Sequence, residues 1–433
     1  MENILKVFWA VLSVWMIVLS IYLTHYLHYA QFKLSLYKKS FKGNKKAKDG
    51  ISPLKTLLLT LAGRIGVGSI AGIALAIYIG GAGTIFWVWV ISLLTLPLAY
   101  GESILGSLYK KKFGKEYIGG PSYYIRDGLK NNKLASLYAI LILLSFIFGF
   151  LGIQVNTITK AATIVFPLSK FAVGVLIAVL TFFIVIGDVF KIASATGKIV
   201  PFMLLFYLGL CTYVISIHID KVPQMLFQII ESAFTLRPFF SGFLYTLIIG
   251  IQRGIFSSEA GLGTGSITSA ASNSMNPKKD GYIQMLGVSV TALVVCTITA
   301  FIILLSPYQE LQILDVNGIE VASHAFGYHF SNLGIFLMFL FIFLCSFSTI
   351  LTGYYDSLIS LRFLLKKHYK IQKFALISIT LLMILFSSFL SSKFMWNMVD
   401  LFVGILMAIN LHALYALKGK ILKINASSLE ENL

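Results

Sequence analysis

The chain of 433 residues is 58% apolar and only 12% charged, whereas soluble domains carry about 45–50% apolar and about 25% charged residues. This composition excludes a water-soluble enzyme and predicts an all-α integral membrane protein. The net charge of +18 would suggest nucleic-acid binding in a soluble protein, but here the basic residues lie mainly between the apolar segments, where they indicate topology.

Eleven apolar segments are long enough to cross a bilayer as helices, because a hydrocarbon core about 30 Å thick requires about 20 helical residues. Their predicted limits in chain order are 5–29, 54–79, 84–108, 134–166, 171–187, 191–217, 241–273, 281–305, 332–361, 374–392 and 395–417. The division between 171–187 and 191–217 carries the weakest signal.

The loops between these segments alternate in charge. Every second loop, beginning with 30–55, belongs to a set that holds 27 lysine and arginine residues, whereas the opposite loops hold 5. The basic side faces the cytoplasm, so we expect a bacterial inner-membrane protein with its N-terminus outside and its C-terminus in the cytoplasm. Contact with anionic lipid is a secondary effect of this charge, and no nucleic-acid or obligate protein partner is indicated.

The second segment contains a glycine-rich stretch, Ala62–Gly72, that also carries Arg64. Each glycine destabilises a helix interior by about 1 kcal/mol relative to alanine, so this stretch is predicted to unwind. The alternative is a packing face of small residues, since Gly68 and Gly72 have the spacing of a G-x-x-x-G motif. That alternative does not account for the charged residue.

The seventh segment contains a matching stretch, Gly254–Gly265, that carries Glu259. When the first segment is set aside, the other ten form two groups of five, and each group begins with a glycine-rich helix. This arrangement predicts an inverted repeat, with the broken helices forming a central site. The predicted parts are an extra helix with a basic loop at 1–53, a first repeat at 54–217, an extracellular connection at 218–240, a second repeat at 241–417 and a cytoplasmic tail at 418–433.

The chemistry of such a site follows from the unpaired backbone groups at a helix break. A half-helix that begins there offers N–H groups to a carboxylate, and one that ends there offers carbonyls to an ammonium group or Na⁺. The residues alone therefore predict a transporter of a small zwitterion or ion. Arg64 and Glu259 are candidates for an ion path or for structural pairing, in which Arg253 is another candidate partner of Glu259. Glu102 and Asp188 are expected to be structural groups at cytoplasmic helix ends.

Two other segments carry polar groups at membrane depth. The fourth holds Gln154, Asn156, Thr157 and Thr159, and the ninth holds Ser346, Ser348, Thr349 and Thr352. The first set is expected to contact substrate or to form interhelical hydrogen bonds. The second is expected to coordinate Na⁺ or to bond back to its own helix. The cysteines lie in apolar runs and are expected to be buried, and no catalytic or metal-binding motif supports an enzyme.

Nearly the whole chain resembles the alanine or glycine:cation symporter family, also called sodium:alanine symporters. The resemblance is strongest in GVGSIAGIALAIYIGGAGTIFWVWV (66–90), EYIGGPSYYI (116–125), GKIVPFM (197–203), RGIFSSEAGLG (253–263), QMLGV (284–288) and MWNMVDLFVGILMAINLHAL (395–414). It implies the five-plus-five inverted repeat of the amino acid–polyamine–cation superfamily. It also implies uptake of alanine or glycine with Na⁺ or H⁺.

Matched positions imply the site residues. The expected substrate-binding residues are Gly66, Val67, Gly68, Ser69, Gln154, Phe256, Ser257, Ser258 and Gly353, and the expected Na⁺ ligands are Ala62, Ile65, Ser348 and Thr349. Asn156 is matched together with Gln154. Ser69 and Ser258 replace asparagines of the family, and Gly353 lies where a tryptophan is common, which favours a somewhat larger substrate.

The prediction is a secondary active symporter that imports a small neutral amino acid with Na⁺ by alternating access and requires no cofactor besides the coupling ion. Arg64 replaces a small residue of many members, which leaves an H⁺-coupled carrier or an amino-acid exchanger open. A channel and a membrane enzyme are the remaining alternatives.

Overall fold

The computed structural model describes residues 2–41, 49–234, 241–311, 317–365 and 369–427. Within these ranges the protein is almost entirely helical. A short antiparallel hairpin, with strands β1 (Lys111–Phe113) and β2 (Glu116–Ile118), pairs Lys112 with Tyr117 between two helices.

The first half of the chain contains helices at each predicted segment and three shorter helices in the loops. These are α1 (Glu2–Tyr26), α2 (Leu34–Ser40), α3 (Pro53–Arg64), α4 (Ala71–Gly80), α5 (Gly83–Leu108), α6 (Pro121–Gly128), α7 (Asn132–Leu144), α8 (Leu151–Val165), α9 (Lys170–Val185), α10 (Val189–Ile217) and α11 (Val222–Phe234). A π-helical turn at Ser145–Phe150 joins α7 to α8 without interruption. The predicted division between 171–187 and 191–217 is confirmed, since α9 ends at Val185 and α10 begins at Val189.

The second half has the same correspondence with the predicted segments. Its helices are α12 (Ser241–Ser258), α13 (Thr264–Ala270), α14 (Pro277–Val288), α15 (Cys296–Leu304), α16 (Ile319–Leu364), α17 (Tyr369–Ser387), α18 (Ser392–Ala416) and α19 (Lys418–Ala426). A π-helical turn at Ser289–Val295 joins α14 to α15. Helix α16 bends at Ser331, whose φ of 55° is not helical, so its long apolar arm begins at 332 as predicted.

Local sequence explains several helix starts. Asn131 accepts a hydrogen bond from the Leu134 N–H at 2.9 Å and so caps α7. Asn276 caps α14 through the Lys278 N–H at 3.0 Å, and Pro277 follows it as the first helical residue. Capping side chains satisfy N–H groups that have no partner inside the helix.

Eight helices in the described ranges are long and apolar enough to cross a membrane, and the bent pair α3 and α4 makes a ninth if it is counted as one span. The protein is therefore a multi-pass membrane protein. Helix α9 is a shorter apolar helix, and α12 lies at the seventh predicted segment. The prediction of eleven spans in two inverted repeats stays a prediction.

Both glycine-rich stretches interrupt their helices. Helices α3 and α4 are bent by 66° across the first break. At the second break, between α12 and α13, the φ angles of Glu259, Gly261 and Gly263 are 52°, 86° and 97°. Positive φ angles do not occur within an α-helix. The bend at the first break and these angles at the second confirm the prediction that both stretches unwind.

Helices α5 and α16 organise the packing around these breaks. Helix α5 packs against α12, α13 and α14, whereas α16 packs against α3, α7, α8 and α10. Cys211, Cys296 and Cys345 are buried and free, as predicted.

Candidate functional site

The first break exposes backbone groups to side chains from two other helices. The Val67 N–H donates to Gln154 Oε1 of α8 at 3.0 Å. A Cβ atom at Gly66 would lie 2.5 Å from Thr349 Oγ1 and 3.1 Å from the Gln154 amide. Glycine is therefore required at position 66 for α8 and α16 to approach the unwound backbone.

The expected Na⁺ ligands meet at the end of α3. Ser348 Oγ lies 3.2 Å from the Ala62 carbonyl oxygen, and Thr349 Oγ1 lies 2.9 Å from the same atom and 3.4 Å from the Gly63 carbonyl oxygen. Both hydroxyls also contact the Cys345 carbonyl of their own helix, at 2.8 and 3.0 Å. Ile65 is buried and is the first residue beyond α3. Two hydroxyls and one carbonyl of the expected set are thus already in contact.

The second break is held by buried polar side chains. Glu102 Oε2 accepts from the Gly263 N–H at 2.9 Å and from Asn410 Nδ2 at 3.0 Å. Asn410 Nδ2 also donates to the Gly261 carbonyl at 2.9 Å, and the Tyr138 hydroxyl donates to the Leu262 carbonyl. These contacts satisfy backbone groups that the break leaves without helical partners.

Glu102 makes structural contacts, as expected, but it does so in the interior of the protein. Its side chain is completely buried, because α5 passes directly beside the second break. Asp188 lies at a helix end, directly before α10, with 71% of its side chain exposed and Lys373 at 3.9 Å.

The last turn of α12, directly before the second break, touches the first break. A Cβ atom at Gly68 would lie 2.7 Å from the Phe256 ring and 3.4 Å from the Ser257 Cα atom. The Phe256 ring packs between Trp396 and Phe150, with both centroid distances 5.3 Å. The structure therefore brings the expected substrate residues of both stretches together beside Gln154.

Ser69 and Ser258 each form a hydrogen bond with a backbone group two or three residues away. Ser69 Oγ donates to the Gly66 carbonyl at 3.2 Å, and Ser258 Oγ accepts from the Ala260 N–H at 3.4 Å. Each hydroxyl thus stabilises its own turn, and neither reaches across to the other break.

Gly353 lies at an apolar cleft beside the π-helical turn of 145–150. A Cβ atom at Gly353 would lie 2.7 Å from the Phe146 ring. The cleft has free space for about one water-sized particle, and it is lined by Phe146, Ile147, Phe150, Leu151, Thr349, Ile350, Gly353, Tyr354, Ser357 and Thr380. Residues 66–69 and 256–258 do not line it, but Thr349 connects it to the end of α3.

A second, charged cavity lies between α16, the end of α3 and the second break. It is lined by Leu59, Thr60, Gly63, Arg64, Glu259, Thr264, Gly265, Thr268, Thr352 and Asp356. Arg64 Nη1 donates to the Gln284 carbonyl at 2.9 Å, and Glu259 Oε2 accepts from the Thr264 hydroxyl at 2.7 Å. Arg253 instead pairs with Asp400 at 2.6 Å. Glu259 therefore shares its surroundings with Arg64 and not with Arg253.

Asn156 belongs to a separate buried network. Asn156 Nδ2 donates to the Leu390 carbonyl at 2.7 Å, and Asn156 Oδ1 accepts from Asn317 Nδ2 at 2.9 Å. Asn317 Oδ1 accepts from the Thr157 hydroxyl at 3.0 Å, whereas Thr159 bonds to the Val155 carbonyl of its own helix at 3.0 Å. In this structure Asn156 therefore ties helices together, and only Gln154 reaches the first break.

Known proteins that resemble this chain match it over most of its length. A sequence model of the "Sodium:alanine symporter family" matches residues 1–430. The chain is 33% identical to "Amino-acid carrier protein AlsT" of Bacillus subtilis, over 96% of this chain and 89% of that protein. It is 33% identical to "Probable sodium/glutamine symporter GlnT" of the same organism, over 86% of this chain and 77% of that protein. "Sodium/alanine symporter AgcS" of Methanococcus maripaludis is 29% identical, over 85% of this chain and 82% of that protein.

Proposed function

Since the chain belongs to the sodium:alanine symporter family, we propose that it imports a small neutral amino acid together with Na⁺ by alternating access. Membership makes it a transporter of a sodium/amino-acid symporter family, with sodium as the coupling ion that the family name implies. Relatives are named for alanine, for glutamine and for amino acids in general. The substrate and the coupling ion of this chain therefore have to be argued from its own residues.

The contact between the first break and the last turn of α12 carries the proposal. Gly68 packs so closely against Phe256 that a Cβ atom at Gly68 would lie 2.7 Å from the ring, and the Val67 N–H beside them is directed at an oxygen acceptor, Gln154 Oε1. A substrate carboxylate is an acceptor of the same kind, with a negative charge that the positive end of a half-helix favours. We assign Gly66–Ser69 to the carboxylate, and Gln154 and Phe256–Ser258 to its surroundings.

The cleft at Gly353 suits the substrate side chain. No charged side chain is among the residues that line it, so a charged substrate side chain would lose its hydration without gaining a partner. Glycine at position 353 lets the Phe146 ring pack directly against α16, since a Cβ atom there would lie 2.7 Å from the ring. The absence of charged lining residues therefore favours a neutral amino acid as the substrate.

The proposed Na⁺ ligands are the carbonyls of Ala62 and Ile65 and the hydroxyls of Ser348 and Thr349. An ion held there joins α3 to α16 and so fixes the unwound backbone for substrate. One charge moving through 100 mV supplies about 2.3 kcal/mol to drive uptake. We further propose eleven spans in an inner membrane, the N-terminus outside, and inverted repeats at 54–217 and 241–417.

The function is tested by uptake of labelled alanine and glutamine into proteoliposomes, with Na⁺ and pH gradients imposed separately. We expect saturable uptake and counterflow that require an inward Na⁺ gradient. Uptake driven by the pH gradient alone contradicts Na⁺ coupling and favours the H⁺ carrier, and exchange that needs no gradient favours an exchanger. Flux without saturation or counterflow would identify a channel, and chemical conversion of the recovered substrate would identify an enzyme.

Removing the two hydroxyls at the end of α3 is expected to weaken Na⁺ dependence strongly. The Ser348→Ala and Thr349→Val double variant loses the two groups that contact the Ala62 carbonyl. The Na⁺ concentration for half-maximal uptake should rise by at least about tenfold, which corresponds to about 1.4 kcal/mol of binding free energy. Thr163→Val is a matched control, because Thr163 is exposed and bonds only to its own helix among the contacts described. An unchanged Na⁺ dependence in the double variant would exclude this ion site.

A further inference from the structure

Four buried ionisable side chains meet beside the second helix break. Arg64, Glu259 and Asp356 line one cavity and expose only 2%, 6% and 4% of their surface. Glu102 adjoins them, because a Cβ atom at Gly265 would lie 2.7 Å from Arg64 Nη2 and 3.1 Å from Glu102 Oε1. Three carboxyl groups thus face one guanidinium, and a buried surplus of negative charge requires compensation.

Neighbouring basic side chains do not provide that compensation. Arg253 is paired with Asp400, and Arg362 is paired with Glu116, at 2.6 Å in each case. Among the described residues that line the cavity, Arg64 is the single basic group. Its Nη1 atom is directed at the Gln284 carbonyl.

The cavity wall offers oxygen atoms suited to a small cation. Besides the two carboxylates, four threonine hydroxyls line it, those of Thr60, Thr264, Thr268 and Thr352. The Thr264 hydroxyl donates to Glu259 at 2.7 Å, and the Thr352 hydroxyl donates to the Thr349 carbonyl at 3.0 Å. With their protons directed in this way, the Thr264 and Thr352 hydroxyls keep lone pairs for a cation, whereas the Thr60 and Thr268 hydroxyls already accept hydrogen bonds from the Gln284 amide.

Two carboxylate oxygens beside the cavity have no hydrogen-bond partner in the part of the chain that the structure describes, Asp356 Oδ1 and Glu102 Oε1. The free space of the cavity is sufficient for about one water-sized particle. In the described ranges no group of three or more His, Cys, Asp or Glu side chains is suited to a metal ion. The cavity is instead lined by hydroxyls and two carboxylates, a set of hard oxygen atoms that suits Na⁺.

We propose that this cavity binds one Na⁺ ion between Glu259 and Asp356, next to the ion assigned to Ala62, Ser348 and Thr349. The inference rests on the proposed function, because it adds a second ion to the same transport cycle. Thr352 follows Thr349 on α16, and a Cβ atom at Gly63 would lie 3.2 Å from Thr352 Oγ1. The two ion sites are thus neighbours along the boundary between α3 and α16.

The test is equilibrium binding of ²²Na⁺ to the purified full chain in detergent, which needs no transport. The unsubstituted protein is expected to bind two ions per chain, and Asp356→Asn is expected to bind one. The Ser348→Ala and Thr349→Val double variant should retain the ion at Asp356. Glu310→Gln, which alters an exposed carboxylate outside the cavity, should still bind two ions.

A second variant keeps the test decisive if Asp356→Asn fails to give monodisperse protein. Thr352→Val preserves the shape of the side chain and removes one hydroxyl ligand, so the affinity for one of the two ions should fall about tenfold. Two bound ions of unchanged affinity in both variants would overturn the inference. The inference would also be overturned if Asp356→Asn bound the same number of Na⁺ ions as the unsubstituted protein but one proton fewer. A proton, and not Na⁺, would then compensate the charge of Asp356.

The outcomes separate this inference from the proposed function. A single bound ion that disappears in the Ser348 and Thr349 double variant, and persists in Asp356→Asn, overturns the second site and leaves Na⁺-coupled uptake intact. Absence of any bound Na⁺ in the unsubstituted protein, with uptake driven by pH, overturns the proposed coupling ion and the second site together.

Discussion

Replacing Gly66 by leucine is expected to abolish amino-acid uptake while the chain still inserts into the membrane. A Cβ atom at this position would lie 2.5 Å from Thr349 Oγ1 and 3.1 Å from the Gln154 amide, and a leucine side chain adds three further carbon atoms. Overpacking of this kind costs about 1–3 kcal/mol and displaces the groups assigned to both substrate and ion. Uptake by the variant in proteoliposomes should fall by at least about 100-fold, a change equivalent to about 2.7 kcal/mol.

Gly209→Leu is the matched control. Gly209 lies on the exposed surface of α10, and a Cβ atom there would meet no other atom within 4 Å. Its uptake should equal that of the unsubstituted protein, and both variants should elute as monodisperse proteins. Normal uptake by Gly66→Leu would contradict the assignment of the first break to substrate, because no ligand could then approach the backbone closely.

Helix positions follow from the sequence because their signals are local. An apolar run of sufficient length and the charged loops that flank it decide where a membrane helix lies. The separation of α9 from α10 near Asp188 and the start of the long arm of α16 after Ser331 were both predicted on this basis. The unwinding near Gly261 also has a local cause, since glycine adopts the positive φ angles found at Gly261 and Gly263 at little cost.

Side-chain contacts between helices follow less readily. Gln154 and Asn156 are two positions apart on α8, so they point about 200° apart around the helix axis. Only Gln154 can therefore face the first break, and Asn156 contacts Asn317 on the other side. The resemblance to the family matched both residues, but the helix geometry separates them.

The burial of a side chain is also difficult to predict from the sequence. Glu102 lies near the predicted end of its segment, where the sequence places water. The structure buries it, because α13 begins beside α5 at this level and Gly263 presents a free N–H to the carboxylate. Such a contact depends on how two distant segments pack, and no pattern within either segment encodes it.

Helix α16 shows what the spacing of residues along a helix reveals about a site. Thr349 and Gly353 lie four residues apart and line the apolar cleft. Thr352 and Asp356 have the same spacing and line the charged cavity. Residues four apart share a helix face, so the spacing of Thr352 and Asp356 is the signal that could have identified Asp356, a residue that sequence reasoning missed. What the sequence does not show is that Arg64 and Glu259 face it.

Breaking the buried ion pair of Arg253 and Asp400 is expected to have the largest effect on stability. Arg253 Nη2 contacts both Asp400 oxygens, at 2.6 and 2.5 Å, and its guanidinium lies 4.4 Å from the centre of the Trp396 ring. Both charged side chains are nearly buried. Removing one partner leaves the other charge buried and unpaired, which costs about 3–5 kcal/mol.

Asp400→Asn should therefore lower the thermal unfolding midpoint of the purified protein markedly, and the double variant Arg253→Met with Asp400→Leu should recover much of the loss. An apolar pair of similar volume replaces a buried ion pair at little cost or with a gain, so recovery would show that the unpaired charge causes the instability. Equal destabilisation in the single and double variants would contradict this explanation. The variant Arg253→Met alone then separates the contribution of Arg253 packing on Trp396, which also contacts Phe256, from that of the ion pair.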